Sequence, residues 1–323
     1  MTREPFESLT AADLEERLDA EDYVADERTV TTVQLALTLG RPLLVEGPPG
    51  SGKTELGKVL AGAFDTELIR LQCYEGLTAE NALYEWNYTK QLLAVQAEEG
   101  TVAADPNETT SRAGDADGDA PGSVFDAEFL LERPLLRALR AGGEVPPVLL
   151  IDEIDRADAE FEAFLLELLS DFQVSIPEYG TVSAEQPPVV VLTSNRTRGL
   201  SDALKRRCLY LHVEPPSFED EFEIVRRKVP ELDATVAAEV CAVVDRLREE
   251  SFLKQPGVAE TLDWARAVAQ LRHDDDARPL SPGEIERTLG CLLKEAEDLD
   301  RVDTGLLEQL RAAADAAEDR IEV

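Results

Sequence analysis

Imidazole is scarce in this chain. His212 and His273 are its only histidines, and its four cysteines, Cys73, Cys208, Cys241 and Cys291, share no C-x-x-C spacing. A thiolate or imidazole metal centre is therefore not expected, and the thiols read as reduced and mostly buried. No apolar run reaches 18 residues, so no membrane span is expected. The opening stretch MTREPFESLTAADLEERL lacks an apolar h-region, which gives no secretory signal and a cytoplasmic expectation. Positive charge is the largest deficit: 67 acids face 32 bases, for a formal net charge of −35. One reading is repulsion of nucleic acid, which argues against a DNA motor. The other is adaptation to a salt-rich cytoplasm, where a Debye length of roughly 3 Å at 1 M salt makes self-repulsion tolerable. The excess is spread along the chain rather than gathered in one tail, which favours the halophilic reading and makes charge a poor guide to the partner.

What is present is an alternation of apolar runs and amphipathic segments. TVTTVQLALTL (29–39) reads as a helix ended by Gly40 and Pro42. PLLVE, ELIRLQC, VLLID, PPVVVLTSN and RCLYLHVE read as five strands, and strands alternating with helices predict a parallel sheet flanked by helices. Phe161, Phe164, Leu165, Leu168, Leu169 and Phe172 recur at the spacing of one buried helix face. After Pro215 and Pro216 the strands stop, and helices are expected at 218–228, 235–248, 258–271 and 282–297. The division is thus an α/β domain over 1–215 and an all-helical domain over 216–323. Residues 97–123 are acidic, Gly-rich and almost free of large apolar groups, which predicts a disordered surface insertion.

GPPGSGKT fits G-x-x-x-x-G-K-[ST] and lies between an apolar strand and a helix. Glycines let backbone N–H groups turn inward around phosphate oxygens, and the helix N-terminus adds a favourable dipole. The expected nucleotide-binding residues are Gly47, Pro48, Pro49, Gly50, Ser51, Gly52, Lys53, Thr54 and Glu55. Lys53 would reach the β and γ phosphates of ATP, and Thr54 would offer its hydroxyl to Mg²⁺. VLLIDEIDRAD ends four apolar residues in acids. Asp155 and Asp158 suit a helix start, whereas Asp152 and Glu153 sit at the strand's carboxyl end, where ligands bind in open α/β sheets. Asp152 is the expected Mg²⁺ ligand beside Thr54, and Glu153 the expected base toward an attacking water. Asn195 ends a further strand and could hydrogen-bond the water or the γ-phosphate, although Asn also ends strands through turn chemistry. Arg206 and Arg207 are either solvated charges or reach the γ-phosphate of a neighbouring subunit.

Phosphate loop, acidic pair, strand-end Asn and strand-preceding Arg occur in the order of an AAA+ ATPase. LQCYEGLTAENALYEWNYTKQLL, FLLERPLLRAL, LLIDEIDRADAEFEAFLLELLSDFQVSIPEYGTV, LTSNRTRGLSDALKRRCLY and QPGVAETLDWARAV resemble the MoxR family more closely. Within it they resemble the group associated with maturation of carbon monoxide dehydrogenase-type molybdoenzymes. The resemblance runs from about Tyr23 to about Lys294 and skips the acidic insertion. It implies a P-loop AAA+ core with a five-stranded parallel sheet and a helical lid. It also implies Lys53 and Thr54 as the Walker A pair, Asp152 and Glu153 as the Walker B pair, and Asn195 as the first sensor. Arg207 is the implied arginine finger, with Arg206 the alternative. A finger acting in trans implies a homo-oligomeric ring, usually a hexamer. The family's second-sensor Arg has no counterpart in GVAETLDWARA, and Arg266 falls about a turn beyond its place.

The implied function is ATP-driven remodelling of a client, a metalloenzyme, with a von Willebrand A-domain partner. A nucleic-acid motor and a non-hydrolysing scaffold are the competing readings. The first lacks a basic stripe, and the second does not explain both Asp152 and Glu153. Two segments are candidate output elements: a hairpin in FQVSIPEYGTV, with Glu178, Tyr179 and Gly180 at its tip, and NALYEWNYTKQLL, with Leu83, Trp86 and Lys90 at helical spacing. For both, packing against their own domain is an equal alternative.

Overall fold

The computed structural model describes residues 4–93, 96, 127–177, 179–272 and 278–321. The strands are β1 (Leu43–Glu46), β2 (Leu68–Gln72), β3 (Tyr84–Trp86), β4 (Leu130–Glu132), β5 (Val148–Asp152), β6 (Gln173–Ile176), β7 (Gly180–Ser183), β8 (Val189–Ser194) and β9 (Leu209–His212). The helices up to β9 are α1 (Ala11–Ala20), α2 (Glu27–Leu39), α3 (Lys53–Ala63), α4 (Ala79–Leu83), α5 (88–93), α6 (Pro134–Arg140), α7 (Ala159–Asp171) and α8 (Asp202–Arg207). After β9 come α9 (Phe218–Lys228), α10 (Ala234–Arg248), α11 (Val258–Leu271), α12 (Pro282–Thr288), α13 (Ala296–Leu299), α14 (Thr304–Asp315) and α15 (Glu318–Ile321).

The five expected strands form one parallel sheet in the order β2-β5-β8-β1-β9. Successive side chains of a strand point to opposite faces. Leu44, Leu149, Ile151, Val190 and Leu192 therefore pack on α6 and α7, through Leu135, Leu139, Phe161 and Leu165. Leu43, Val45, Val148, Leu150 and Val191 pack on α1, α2 and α3, through Leu14, Val33, Leu37, Leu56 and Leu60. Both faces are covered, which is why the central strands read as unbroken apolar runs. The helical C-terminal part has its own core around the fully buried Trp264, with Val236, Val240, Val243, Leu280, Ile285 and Leu310. Cys73, Cys208 and Cys241 are buried and Cys291 is half-buried, all as free thiols.

Two expected helices are corrected. Tyr84–Trp86 is a strand, antiparallel to β4, so Leu83, Trp86 and Lys90 do not share a helix face. Tyr84 and Trp86 are two apart, on one face of that strand, with ring centroids 5.9 Å apart. Aromatic residues suit a pleated surface, and β4 supplies the ladder hydrogen bonds. The segment 282–297 does not run as one helix: α12 stops at Thr288, a 3-10 turn follows (Leu289–Cys291), and α13 begins at Ala296. The Thr288 hydroxyl bonds back to the carbonyls of Glu284 (2.6 Å) and Ile285 (3.2 Å), and Gly290 follows, a combination that competes with continued helix. The hairpin is present as β6 and β7. Glu178 and the whole 97–123 insertion lie outside the described residues. Among the described residues, no helix is long and apolar enough to cross a membrane.

Candidate functional site

The loop between β1 and α3 turns on two left-handed glycines, Gly50 (φ 79°) and Gly52 (φ 83°). At Gly47 an added Cβ would lie 2.2 Å from the carbonyl oxygen of Val213, so only glycine lets the chain leave β1 along this path. α3 opens at Lys53, placing the amides of a helix N-terminus at the loop, an anion-binding geometry. The Lys53 ammonium is buried and donates to the carbonyls of Gly47 (3.0 Å) and Pro48 (2.6 Å). Burial pushes its pKa down, and the acids Asp152, Asp155 and Glu153 push it back up.

The loop faces the carboxyl ends of β5 and β8. The Thr54 hydroxyl donates to Asp152 Oδ1 (2.9 Å), and the buried Thr193 hydroxyl donates to the same oxygen. Arg70 of β2 takes the other oxygen, Oδ2, at 2.5 Å. Glu153 is left-handed (φ 55°), and its amide donates to Thr193 Oγ1 (2.9 Å). Its carboxylate accepts from Asn195 Nδ2 (3.3 Å), Gln72 Nε2 (3.0 Å) and Arg156 Nη1 (3.2 Å). Glu153 sits at the N-cap position of the 3-10 turn Ile154–Arg156, but neither carboxylate of the acidic pair makes a capping hydrogen bond. Asp158 does cap, accepting from the Phe161 amide (2.9 Å) at the start of α7. Asp155 does lie in the first turn of a short 3-10 helix (Ile154–Arg156), but its buried side chain turns away from that helix and accepts from the amides of Asn195 (3.1 Å) and Thr197 (2.9 Å) and the Thr197 hydroxyl (2.6 Å). Burial alone would raise its pKa, but these hydrogen bonds outweigh it and hold the carboxyl below its ordinary value.

Lys53, Thr54, Asp152, Glu153, Thr193 and Asn195 line one cleft of about 1050 Å³, a size that suits a nucleotide, whereas Gly47, Pro48, Arg70, Gln72 and Asp155 stand behind its wall. Its walls include Pro49 to Glu55, Asp152, Glu153, Thr193 and Asn195, residues 22–26 before α2, and Val258, Ala259, Leu262, Asp263 and Arg266 of α11. Arg266, which the sequence placed a turn too far along, is on the cleft-facing side of its helix, 3.5 Å from Asp263. Glu55 meets Lys58 (3.1 Å) and Lys228 of α9 (3.6 Å). Arg206 and Arg207 do not line the cleft: they are exposed at the end of α8, where Arg41 donates to both their carbonyls. Sequence reasoning missed Arg70, Gln72, Thr193 and the role of Asp155. The polar alternation Arg70, Gln72 in an otherwise apolar strand was the available signal, because Gln72 is the register partner of Asp152.

The chain is similar to several known proteins. The chain is 24% identical over 272 residues to the uncharacterized protein SH1500 of Staphylococcus haemolyticus, covering 82% of this chain and 89% of that protein. It is 23% identical over 273 residues to the uncharacterized protein SSP1341 of Staphylococcus saprophyticus, with the same shares. Among solved structures, a point variant of Thermotoga maritima RuvB aligns with a TM-score of 0.42 at 16% identity, covering 94% of this chain and 69% of that one. Residues 42–208, from the strand before the phosphate loop to the residue after Arg207, match the AAA domain (dynein-related subfamily), and the chain belongs to that family of ATPases.

Proposed function

We propose that this protein hydrolyses ATP with Mg²⁺ and uses the energy, as a MoxR-type ring, to remodel a client protein. The observation that carries the hydrolytic part is the pairing of Thr54 with Asp152 (2.9 Å) beside Glu153 with Asn195 (3.3 Å) in the cleft that holds Lys53. A hydroxyl and a carboxylate are hard oxygen donors, a set that fits Mg²⁺. Bound there, Mg²⁺ would offset the charge of the phosphates. Lys53 exchanges its loop carbonyls for phosphate oxygens. Glu153 accepts a proton from water, with Asn195 fixing its carboxylate, a contribution of roughly 10² to 10⁴ in rate for a positioned base. Exposed Arg207, or Arg206, supports action on a neighbouring subunit's nucleotide rather than on its own.

Two variants test this reading. Lys53→Ala should lose nucleotide binding, whereas Glu153→Gln should bind ATP and barely turn it over. Wild-type turnover by Glu153→Gln would remove the assigned base. The metalloenzyme client and the von Willebrand A-domain partner follow from the sequence resemblance. Held in its ATP state, Glu153→Gln should retain them on purification in ATP, and Lys53→Ala should not. Identical co-purifying proteins from both variants would overturn that part.

A further inference from the structure

The Asp155 carboxylate spends both oxygens on a loop 40 residues away. Oδ1 takes the Asn195 amide, and Oδ2 takes the amide and hydroxyl of Thr197. One side chain therefore brackets three consecutive residues where the chain leaves β8. The middle residue, Arg196, has φ 60°. That left-handed conformation is unfavourable for a non-glycine residue and persists only where the surroundings over-determine it. Its amide donates to Ser194 Oγ (3.1 Å), and its Nε donates to Glu46 (3.0 Å). Asn195, at the front of the same bracket, points Nδ2 at Glu153.

We propose that Asp155 is a positioning residue for hydrolysis: its carboxylate sets the backbone of 195–197 so that the Asn195 amide group addresses Glu153. The inference rests on the hydrolytic reading above. The chemistry requires an acceptor at both positions. An ionised carboxylate accepts on both oxygens, whereas an Asn side chain of the same shape would face one loop donor with its own NH₂.

The test is a double-mutant cycle on ATP turnover by the full-length protein, with Asp155→Asn, Asn195→Ala and the pair. Turnover is normalised to the number of nucleotide-binding sites, so that loss of folded protein does not count. Asp155→Asn should lower kcat by about 10²-fold, the scale of a misplaced catalytic group, with KM for ATP within about twofold. In the Asn195→Ala background the same change should cost no more than about twofold further. Thr197→Val, which removes only the hydroxyl contact, should show a smaller kcat loss that also vanishes in that background. This variant keeps the test decisive if Asp155→Asn folds poorly. Single losses that multiply in the double variant would overturn the inference, as would an Asp155→Asn defect confined to KM. Asn195→Ala with normal turnover would overturn it while leaving Glu153 in place. An unmodified protein that hydrolyses no ATP would overturn the hydrolytic reading and this inference together.

Discussion

Buried carboxylates in this fold respond to pH in two opposite directions. Burial would raise the pKa of Asp155 and Glu162, but hydrogen bonds from Thr197 and Asn195, and from Ser201 and Arg198, hold both below their ordinary values. The unfolded chain binds those protons more readily, so the stability they contribute is full above the ordinary carboxylate values and lost as pH falls through the depressed ones. Glu239 is the reverse. Burial among α10 and its neighbours raises its pKa above 4.5, although it accepts the Leu280 amide. Here the folded state holds the proton longer, so the ionised form destabilises the fold at neutral pH. Glu239→Gln keeps an acceptor for Leu280 and removes the charge. It should melt above the parent at pH 7, with the gap closing as pH falls toward 4.5, by circular dichroism. A gap that widens on acidification would reverse the assignment. Among the candidate site residues, Lys53, Thr54, Asp152 and Glu153 were legible because a phosphate loop and a strand-end acid pair are local signals. Asp155 was not. Its partners are 40 and 42 residues along the chain, and a lone acid after a strand reads as a cap.

At the scale of elements, the hairpin β6–β7 is anchored more firmly than its turn sequence implied. Ile176 packs with Leu130 and Leu136, and Tyr84, Trp86 and Val182 close around them. Both two-stranded sheets thus share one small core. Arg140 of α6 stacks 5.0 Å over the Tyr179 ring, hydrogen-bonds its hydroxyl and pairs with Glu132 of β4 (2.6 Å). The tip therefore does not project free at Tyr179. Arg140→Ala should speed proteolytic cutting at the tip while leaving ATP turnover within about threefold, under ~1 kcal/mol in barrier terms. Unchanged cutting would show that the apolar contacts suffice. The sheet strands and α7 were legible because their periodicities run for a full element. Tyr84–Trp86 was not, because three residues fit either period and the deciding partner, β4, lies across the long insertion.

For the whole molecule, self-repulsion from a formal charge of −35 should be screened by salt. Melting temperature should rise between low and molar KCl, and a flat response would remove the halophilic reading. If Arg207 completes a neighbour's site, mixing Arg207→Ala with Lys53→Ala subunits should restore turnover at some interfaces, since such fingers contribute on the order of 10³ to 10⁵ in rate. Mixed rings without rescue would count against it. The helical C-terminal part meets the phosphate loop backbone to backbone. The Val258 amide donates to Gly50 O (3.1 Å), and an added Cβ on Gly257 would lie 2.8 Å from Gly50 Cα. Where Gly257 meets Gly50 neither partner has a side chain, the arrangement of a fulcrum should α11 rotate. Arg266 lies nine residues along α11, or roughly 13 Å at 1.5 Å per residue. Tilting α11 by about 10° around that point would therefore carry Arg266 about 2 Å while hardly displacing the loop, so a small rotation at the glycines becomes a large change in how near one guanidinium stands to the nucleotide cleft.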